Sequence, residues 1–295
     1  MTAPALSIIV VFHDMRREAA RTLHTLATGY QRGVQSGDYE VLAVDSNSRQ
    51  PLSPTDVAAF GPQFRHMAFT SPWPSPCAAV NHAVSASRAE NVMVCIDGAR
   101  MLSPRVVHYA LAALRLSAHP FVYTLGMHLG HKPQNESIED GYCQSVEDRL
   151  LETIDWRGDG YRLFDISSVA LSSGSGYLSR LSESNCFALR RADFIALGGL
   201  DERFTSPGGG LVNLDFFNIA HEHQGMQPVM LLGEATFHQF HGGVATNVPR
   251  REHPWPRMAA EYAAIRGKPF ASAHRTPDYL GWMSPLYHGR LLGGQ

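Results

Sequence analysis

Cysteine is scarce in this chain: 295 residues contain four, Cys77, Cys95, Cys143 and Cys186. None forms a C-x-x-C pair, so the sequence offers no zinc-site spacing and no disulfide framework. Cys95 stands inside an apolar run, as a small core residue does. Reduced thiols fit the cytosol, and a cytoplasmic location is expected. Charge is also sparse: 18% of residues, with 25 basic against 27 acidic side chains and a net charge of −2. No basic field exists to draw a nucleic acid partner. No apolar run approaches the ~20 residues that cross a bilayer, so no transmembrane segment is expected. Leu6 to Phe12 is too short, and lacks the basic leader, for a secretory signal. Internal repeats and low-complexity segments are missing too. What the chain does have is 44% hydrophobic residues, enough at this length for one large core or two small ones.

The first half alternates strands and helices. Ser7 to Phe12 is a continuous, mostly β-branched run, as a strand buried on both faces requires. A helix follows with Ala19, Ala20, Leu23, Leu26 and Ala27 along one face. Strands are expected at Tyr39–Val44, Phe64–Phe69, Val92–Ile96 and Phe121–Met127. Helices are expected after Ser75-Pro76 and Pro104. This βαβα order argues for an open, mostly parallel sheet, whose ligands bind at the carboxyl ends of the strands. His13, Asp45 and Asp97 fall at such ends.

The second half is less regular. A strand is expected at Glu183–Leu189 and a short helix at Arg191–Leu197, stopped by Gly198-Gly199. A helix over 212–224 precedes two strands, Val229–Leu232 and Thr236–Phe240. Ser172 to Gly176 reads as a mobile loop, Gly242 to Pro254 as a flexible flap, and Pro256–Arg266 as a last helix.

Two distant segments carry the chemistry. Val92 to Gly98 reads as a buried strand ending in the carboxylate of Asp97. Glu234 to His241 reads as a strand ending in His238 and His241. A carboxylate and an imidazole at two strand ends can share one divalent cation, and a cation there suits a diphosphate. His238 and His241 are three apart, so in a continuous strand they face opposite ways. Both can ligate one ion only if the backbone turns between them.

In their order these motifs resemble the GT-A glycosyltransferases, family 2 and the related polypeptide N-acetylgalactosaminyltransferases, over roughly residues 5 to 245. Ser7 to His13 is similar to the family's first strand, and Val44-Asp45-Ser46-Asn47-Ser48 to its base-contacting motif. Ile96-Asp97-Gly98-Ala99 occupies the place of the D-x-D. Ser184 to Arg191 with Gly198-Gly199-Leu200-Asp201-Glu202 and Phe204 resembles the acceptor-side segment, and His238 falls where a histidine metal ligand is common.

The resemblance implies a GT-A, Rossmann-like α/β fold: an open, mixed, mostly parallel sheet flanked by helices. It implies a catalytic domain over 1–245, with a nucleotide-binding half (1–127) and an acceptor and metal half (128–245). Residues 246–295 are left as flap and helical extension. The implied reaction moves a sugar from a UDP- or GDP-linked donor to a carbohydrate or small-molecule acceptor, with Mn2+ or Mg2+ at the diphosphate. Phe12, His13, Asp45, Asn81, Asp97, Gly98 and Arg100 are the implied donor contacts, and Asp97, His238 and His241 the metal ligands.

Two departures matter. Ala99 stands where D-x-D has its second carboxylate. Asn213 stands where family 2 places its catalytic base, and an amide takes no proton at neutral pH. The next carboxylate, Asp215, is the candidate catalytic group together with Asp201 and Glu202, although two residues along a helix turn a side chain by about 200°. Asn at this position also occurs in the retaining N-acetylgalactosaminyltransferases, so both stereochemical outcomes stay open. Two other readings compete: a degenerate module that binds nucleotide or partner without turnover, and a sugar nucleotidyltransferase. The latter needs a glycine-rich loop after the first strand, where this chain has His13-Asp14-Met15-Arg16-Arg17.

Overall fold

The computed structural model describes residues 3–293. From the amino end the chain forms β1 (Leu6–Phe12), α1 (Arg16–Thr25), β2 (Tyr39–Ser46), α2 (Pro54–Ala58), β3 (Phe64–Phe69), α3 (Cys77–Ala86) and β4 (Asn91–Cys95). There follow β5 (Arg100–Leu102), α4 (Val106–Ala113), β6 (Pro120–Leu129), α5 (Gln134–Ser137), α6 (Gln144–Glu152), β7 (Ser167–Val169), β8 (Cys186–Arg190) and α7 (Arg191–Ala196). The chain closes with α8 (Val212–Glu222), β9 (Gln227–His238), α9 (Trp255–Arg266), β10 (Asp278–Gly281) and α10 (His288–Leu291).

Ten strands make one sheet, in the order β10-β9-β6-β8-β4-β1-β2-β3, with β5 on β9 and β7 on β6. Along this path only β8 runs against its neighbours. The sheet is thus mixed and mostly parallel, as expected. Every residue of β1 and β2 is buried, which explains their unbroken apolar sequence: helices cover both faces. One core, with Val80, Phe187, Phe216 and Phe237, fills one side. The other, with Leu23, Val107 and Ala110, fills the opposite side.

Several elements depart from the sequence reading. The two strands expected after α8 are one strand, β9. Gly233 has φ +81°, and the register against β6 shifts between Tyr123 and Leu125. The glycine is a bulge inside a strand, not a break between two. The short β5, between Asp97 and the helix that follows Pro104, pairs antiparallel with β9; no strand was expected there. In the expected extension 246–295, described as far as 293, there is more than a flap and helix: β10 pairs with β9, and Met258, Tyr262, Met283 and Leu291 enter the main core. Ser172 to Gly176 is tied down, with Ser173 Oγ accepting from Gly126 N–H at 3.0 Å. The segment after His241 is also anchored. Asn135 Nδ2 donates to the carbonyls of Ala245 and Val248 at 2.7 and 2.9 Å.

Candidate metal centre

The carboxyl ends of β4, β6 and β9 share one edge because these strands run in the same direction. Asp97 lies just past β4, and His238 ends β9. β5 sets Arg100 opposite His238, and β6 sets His128 opposite it on the other side. Opposed residues share a face, so His128, His238 and Arg100 form a row beside Asp97.

Asp97 is held tightly. Its Oδ1 accepts from Ala99 N–H at 2.9 Å. Its Oδ2 lies 3.1 Å from His238 Nε2 and 3.5 Å from Arg100 Nε. The turn that aims it needs Gly98, where a Cβ would sit 2.3 Å from Phe12 Cδ1 and 2.7 Å from the Val11 carbonyl. Phe12 is therefore the floor of this turn. Ala99 is fully buried, so the position that carries the second carboxylate of D-x-D faces packed protein.

His241 fills the third corner. β9 stops at His238 and the chain turns, because Asn247 Oδ1 accepts from the N–H groups of His241, Gly242 and Gly243 at 3.1, 3.0 and 2.9 Å. The turn brings His241 Nε2 to 3.2 Å from His238 Nε2 and 3.9 Å from Asp97 Oδ1. One ligand atom from each of Asp97, His238 and His241 lies within 4.8 Å of the other two.

The His238 tautomer follows from Gln134. Gln134 Nε2 donates to the carbonyls of His238 and Leu129, so Oε1 is its acceptor. That oxygen receives Asn247 Nδ2 at 2.8 Å and His238 Nδ1 at 2.7 Å. Nδ1 must carry the proton, which leaves the lone pair on Nε2. Burial pushes His238 down to about 4 against the opposing pull of Asp97. Burial also pushes the Asp97 carboxyl up, but His241, His238 and Arg100 outweigh it and hold it well below the usual carboxylate range. At neutral pH a carboxylate and an imidazole lone pair thus face each other at 3.1 Å. A shared proton or a cation between them joins two acceptors at that distance. The donor set fits a divalent cation.

The other expected residues lie elsewhere or take protein partners. His13 is exposed at the end of β1, its Nδ1 2.7 Å from the Ser46 carbonyl. Asp45 is buried, accepting from the N–H groups of Leu52 and Ser48 at 2.8 and 3.4 Å. Asn81 pins the Gly198-Gly199 loop by exchanging bonds with the Leu200 backbone at 2.8 and 3.0 Å, and it donates to Glu202 at 3.0 Å. Asp215 is held bidentately by Arg266 at 2.7 and 2.5 Å. Asp201 pairs with Arg203 at 2.6 Å and Arg266 at 2.9 Å. The hydrogen bonds from Arg203 chiefly bring its carboxyl down to about 2. The expected catalytic carboxylates Asp201 and Asp215 are therefore joined to one arginine and not to the metal cluster. The sequence reading missed Gln134 and Asn247, which orient the histidines, because an isolated amide in a polar stretch carries no spacing signal.

The sequence matches no protein-family model and no curated relative. Solved structures do resemble it. TarS of S. aureus is 12% identical with a TM-score of 0.52, over 79% of this chain and 36% of that one. The 1–349 piece of TarS is 13% identical with a TM-score of 0.50, over 79% of this chain and 60% of that one. The mannosyltransferase PcManGT from Pyrobaculum calidifontis, in complex with GDP-Man and Mn2+, is 17% identical over 92% of this chain and 66% of that one, but its TM-score of 0.49 is too low to bear on the fold. The chain thus spans about a third of TarS and 60% of its shorter form. At these identities the likeness is one of fold, and the fold is an open, mixed, mostly parallel α/β sheet flanked by helices.

Proposed function

We propose that the chain is a glycosyltransferase. It takes a sugar from a UDP- or GDP-linked donor to a carbohydrate or small-molecule acceptor, with a divalent cation at the diphosphate. The observation that carries this reading is the convergence of Asp97, His238 and His241 where β4 and β9 run out. Open α/β sheets bind nucleotides at that edge. One carboxylate and two imidazoles suit Mn2+ better than Mg2+, which favours an oxygen shell. Once bound, the cation supplies Lewis-acid stabilisation of the diphosphate oxygens.

Arg100 supports the same reading. It is only 4% exposed, and its Nε and Nη1 have no hydrogen-bond partner. Its one ion pair, with Asp97 at 3.5 Å, leaves these buried N–H groups without a hydrogen-bond acceptor, which is costly. An anion arriving beside Asp97 would satisfy them, as a diphosphate does. His13 and Asp45, at the ends of β1 and β2, border the nucleotide in this reading. Phe12, Gly98 and Asn81 shape the site as packing and loop-holding residues. Asp201, Glu202 and Asp215 hold the acceptor-side loop and helices.

Calorimetric titration of UDP and GDP with and without Mn2+ tests the proposal. Asp97→Ala is expected to abolish metal-dependent nucleotide binding, and His238→Ala to weaken Mn2+ binding by at least about tenfold. Nucleotide affinity indifferent both to Asp97→Ala and to chelator would remove the site.

A further inference from the structure

The position expected to hold the base is Asn213, at the start of α8, and it is buried at 6% exposure. Its Nδ2 donates to Glu183 Oε2 at 2.6 Å and lies 3.4 Å from Asn185 Oδ1. The amide orientation is fixed: turning it over would set Asn213 Oδ1 against a carboxylate, and as it stands that oxygen is buried without a partner.

Glu183 and Asn185 lie just before β8. β8 pairs antiparallel with β4, Cys95 opposite Cys186, and the pairing continues one step as Ile96 N–H donates to the Asn185 carbonyl at 3.3 Å. The ladder ends there, with Asp97 one residue beyond Ile96 and Glu183 two residues before Asn185. Because the two strands run antiparallel, Glu183 lies at the same edge of the sheet as Asp97. Glu183 is half-buried, and no arginine, lysine or histidine among the described residues pairs with it. Each of Asp97, Asp201 and Asp215 does have such a partner. Only one oxygen of Glu183 is engaged, and by a neutral amide.

We infer that Glu183 is the catalytic base of the transfer, oriented by Asn213; this rests on the glycosyltransferase reading above. The carboxylate missing from the start of α8 is supplied by the segment leading into β8, and the helix keeps an amide to aim it. Glu183 takes the proton of the acceptor hydroxyl. The hydroxyl oxygen bonds to the anomeric carbon from the face opposite the diphosphate. The bond from that carbon to the diphosphate oxygen breaks, and its electron pair leaves on the diphosphate. The proton on Glu183 passes to solvent. The sugar gains one oxygen and loses one, and its anomeric configuration inverts.

Water serves as the acceptor in the test. Wild type, Glu183→Gln, Glu183→Asp and Asn213→Ala are incubated with Mn2+ and UDP-glucose, UDP-N-acetylglucosamine or GDP-mannose across a range of pH. Sugar release is followed by NMR, which also reads the configuration of the product. Glu183→Gln preserves size and the contact with Asn213, and is expected to bind UDP or GDP with Mn2+ within about twofold of wild type. Its hydrolysis is expected to fall by about 10²–10⁴, and the acid limb of its pH–rate profile to vanish. Glu183→Asp falls between, and Asn213→Ala shifts that limb without removing it. Wild-type hydrolysis left unchanged by Glu183→Gln, or a product of retained configuration, overturns the assignment of Glu183 and leaves the metal site standing. A wild type that binds nucleotide but hydrolyses no donor also overturns it, because a base placed for a hydroxyl acts on water. A wild type that binds no nucleotide with Mn2+ removes the glycosyltransferase reading itself.

Discussion

His238 owes its chemistry to a side chain from another segment. With Gln134 Oε1 receiving Nδ1–H, Nε2 has only a lone pair to offer, and burial keeps the ring neutral. His221 shows the same burial without the function. It stacks on Phe217 and lies 3.0 Å from the Tyr123 hydroxyl. Burial brings its pKa down to about 4, with Arg275 adding to this and Glu222 opposing it. The unfolded chain takes up this proton below pH ~6.5, the folded one only near 4. Stability contributed by the neutral ring is therefore whole above pH 6.5 and is lost as pH falls toward 4. Denaturant titrations at pH 7 and pH 4.5 are expected to show His221→Gln losing less stability over that interval than wild type, by on the order of 2 kcal/mol. Equal losses would mean that His221 does not titrate this way. At this scale the sequence revealed Asp97 and His238 because each ends an apolar run. It was silent on Gln134, Asn247 and Glu183, whose roles exist only through contacts with distant residues.

Among the elements, α8 and α9 are clamped by Arg266, which reaches from the last residue of α9 to Asp215 and Asp201. Both oxygens of the Asp215 carboxylate are thereby engaged. Asp215→Asn leaves the guanidinium half-paired and is expected to cost roughly 2–4 kcal/mol. Mn2+-dependent nucleotide binding should survive in the folded fraction. Urea unfolding alongside calorimetry checks both; full stability with lost turnover would return Asp215 to the catalytic group. β9 teaches a second lesson. A glycine in the middle of its apolar run looks like punctuation. In the fold, a Cβ at Gly233 would sit 2.1 Å from the Trp282 carbonyl, so the residue allows β10 and its following turn to approach. β5 was invisible because three residues carry no periodicity, yet its pairing puts Arg100 opposite His238.

In the whole molecule, three candidate metal ligands drawn from two distant strand ends meet only in the folded chain, so binding of a cation there would be linked to folding. An ion at a hundred times its dissociation constant should add about 2.7 kcal/mol. Scanning calorimetry is expected to show the unfolding midpoint rising by several degrees with Mn2+ and returning with EDTA. Mg2+ at the same concentration should raise it less, and Asp97→Ala should abolish the Mn2+ effect. A midpoint indifferent to Mn2+ would mean that Asp97, His238 and His241 hold no ion. Among the described residues no helix is long and apolar enough to cross a membrane.

The alternation of apolar strand runs with amphipathic helices determined the sheet and which of its edges carries the site, because burial on two faces dictates composition and βαβ connections dictate direction. Local patterning also placed Asp97 and His238 at strand ends. Only the tertiary structure decided the rest: that the backbone turns at Asn247 and brings in His241, that Arg100 is buried beside Asp97 with N–H groups lacking a hydrogen bond, that Asp215 is held by Arg266, and that Asn213 meets Glu183. Each depends on a hydrogen bond or ion pair between residues far apart in the chain, and periodicity encodes which face a residue takes but not which partner it meets there.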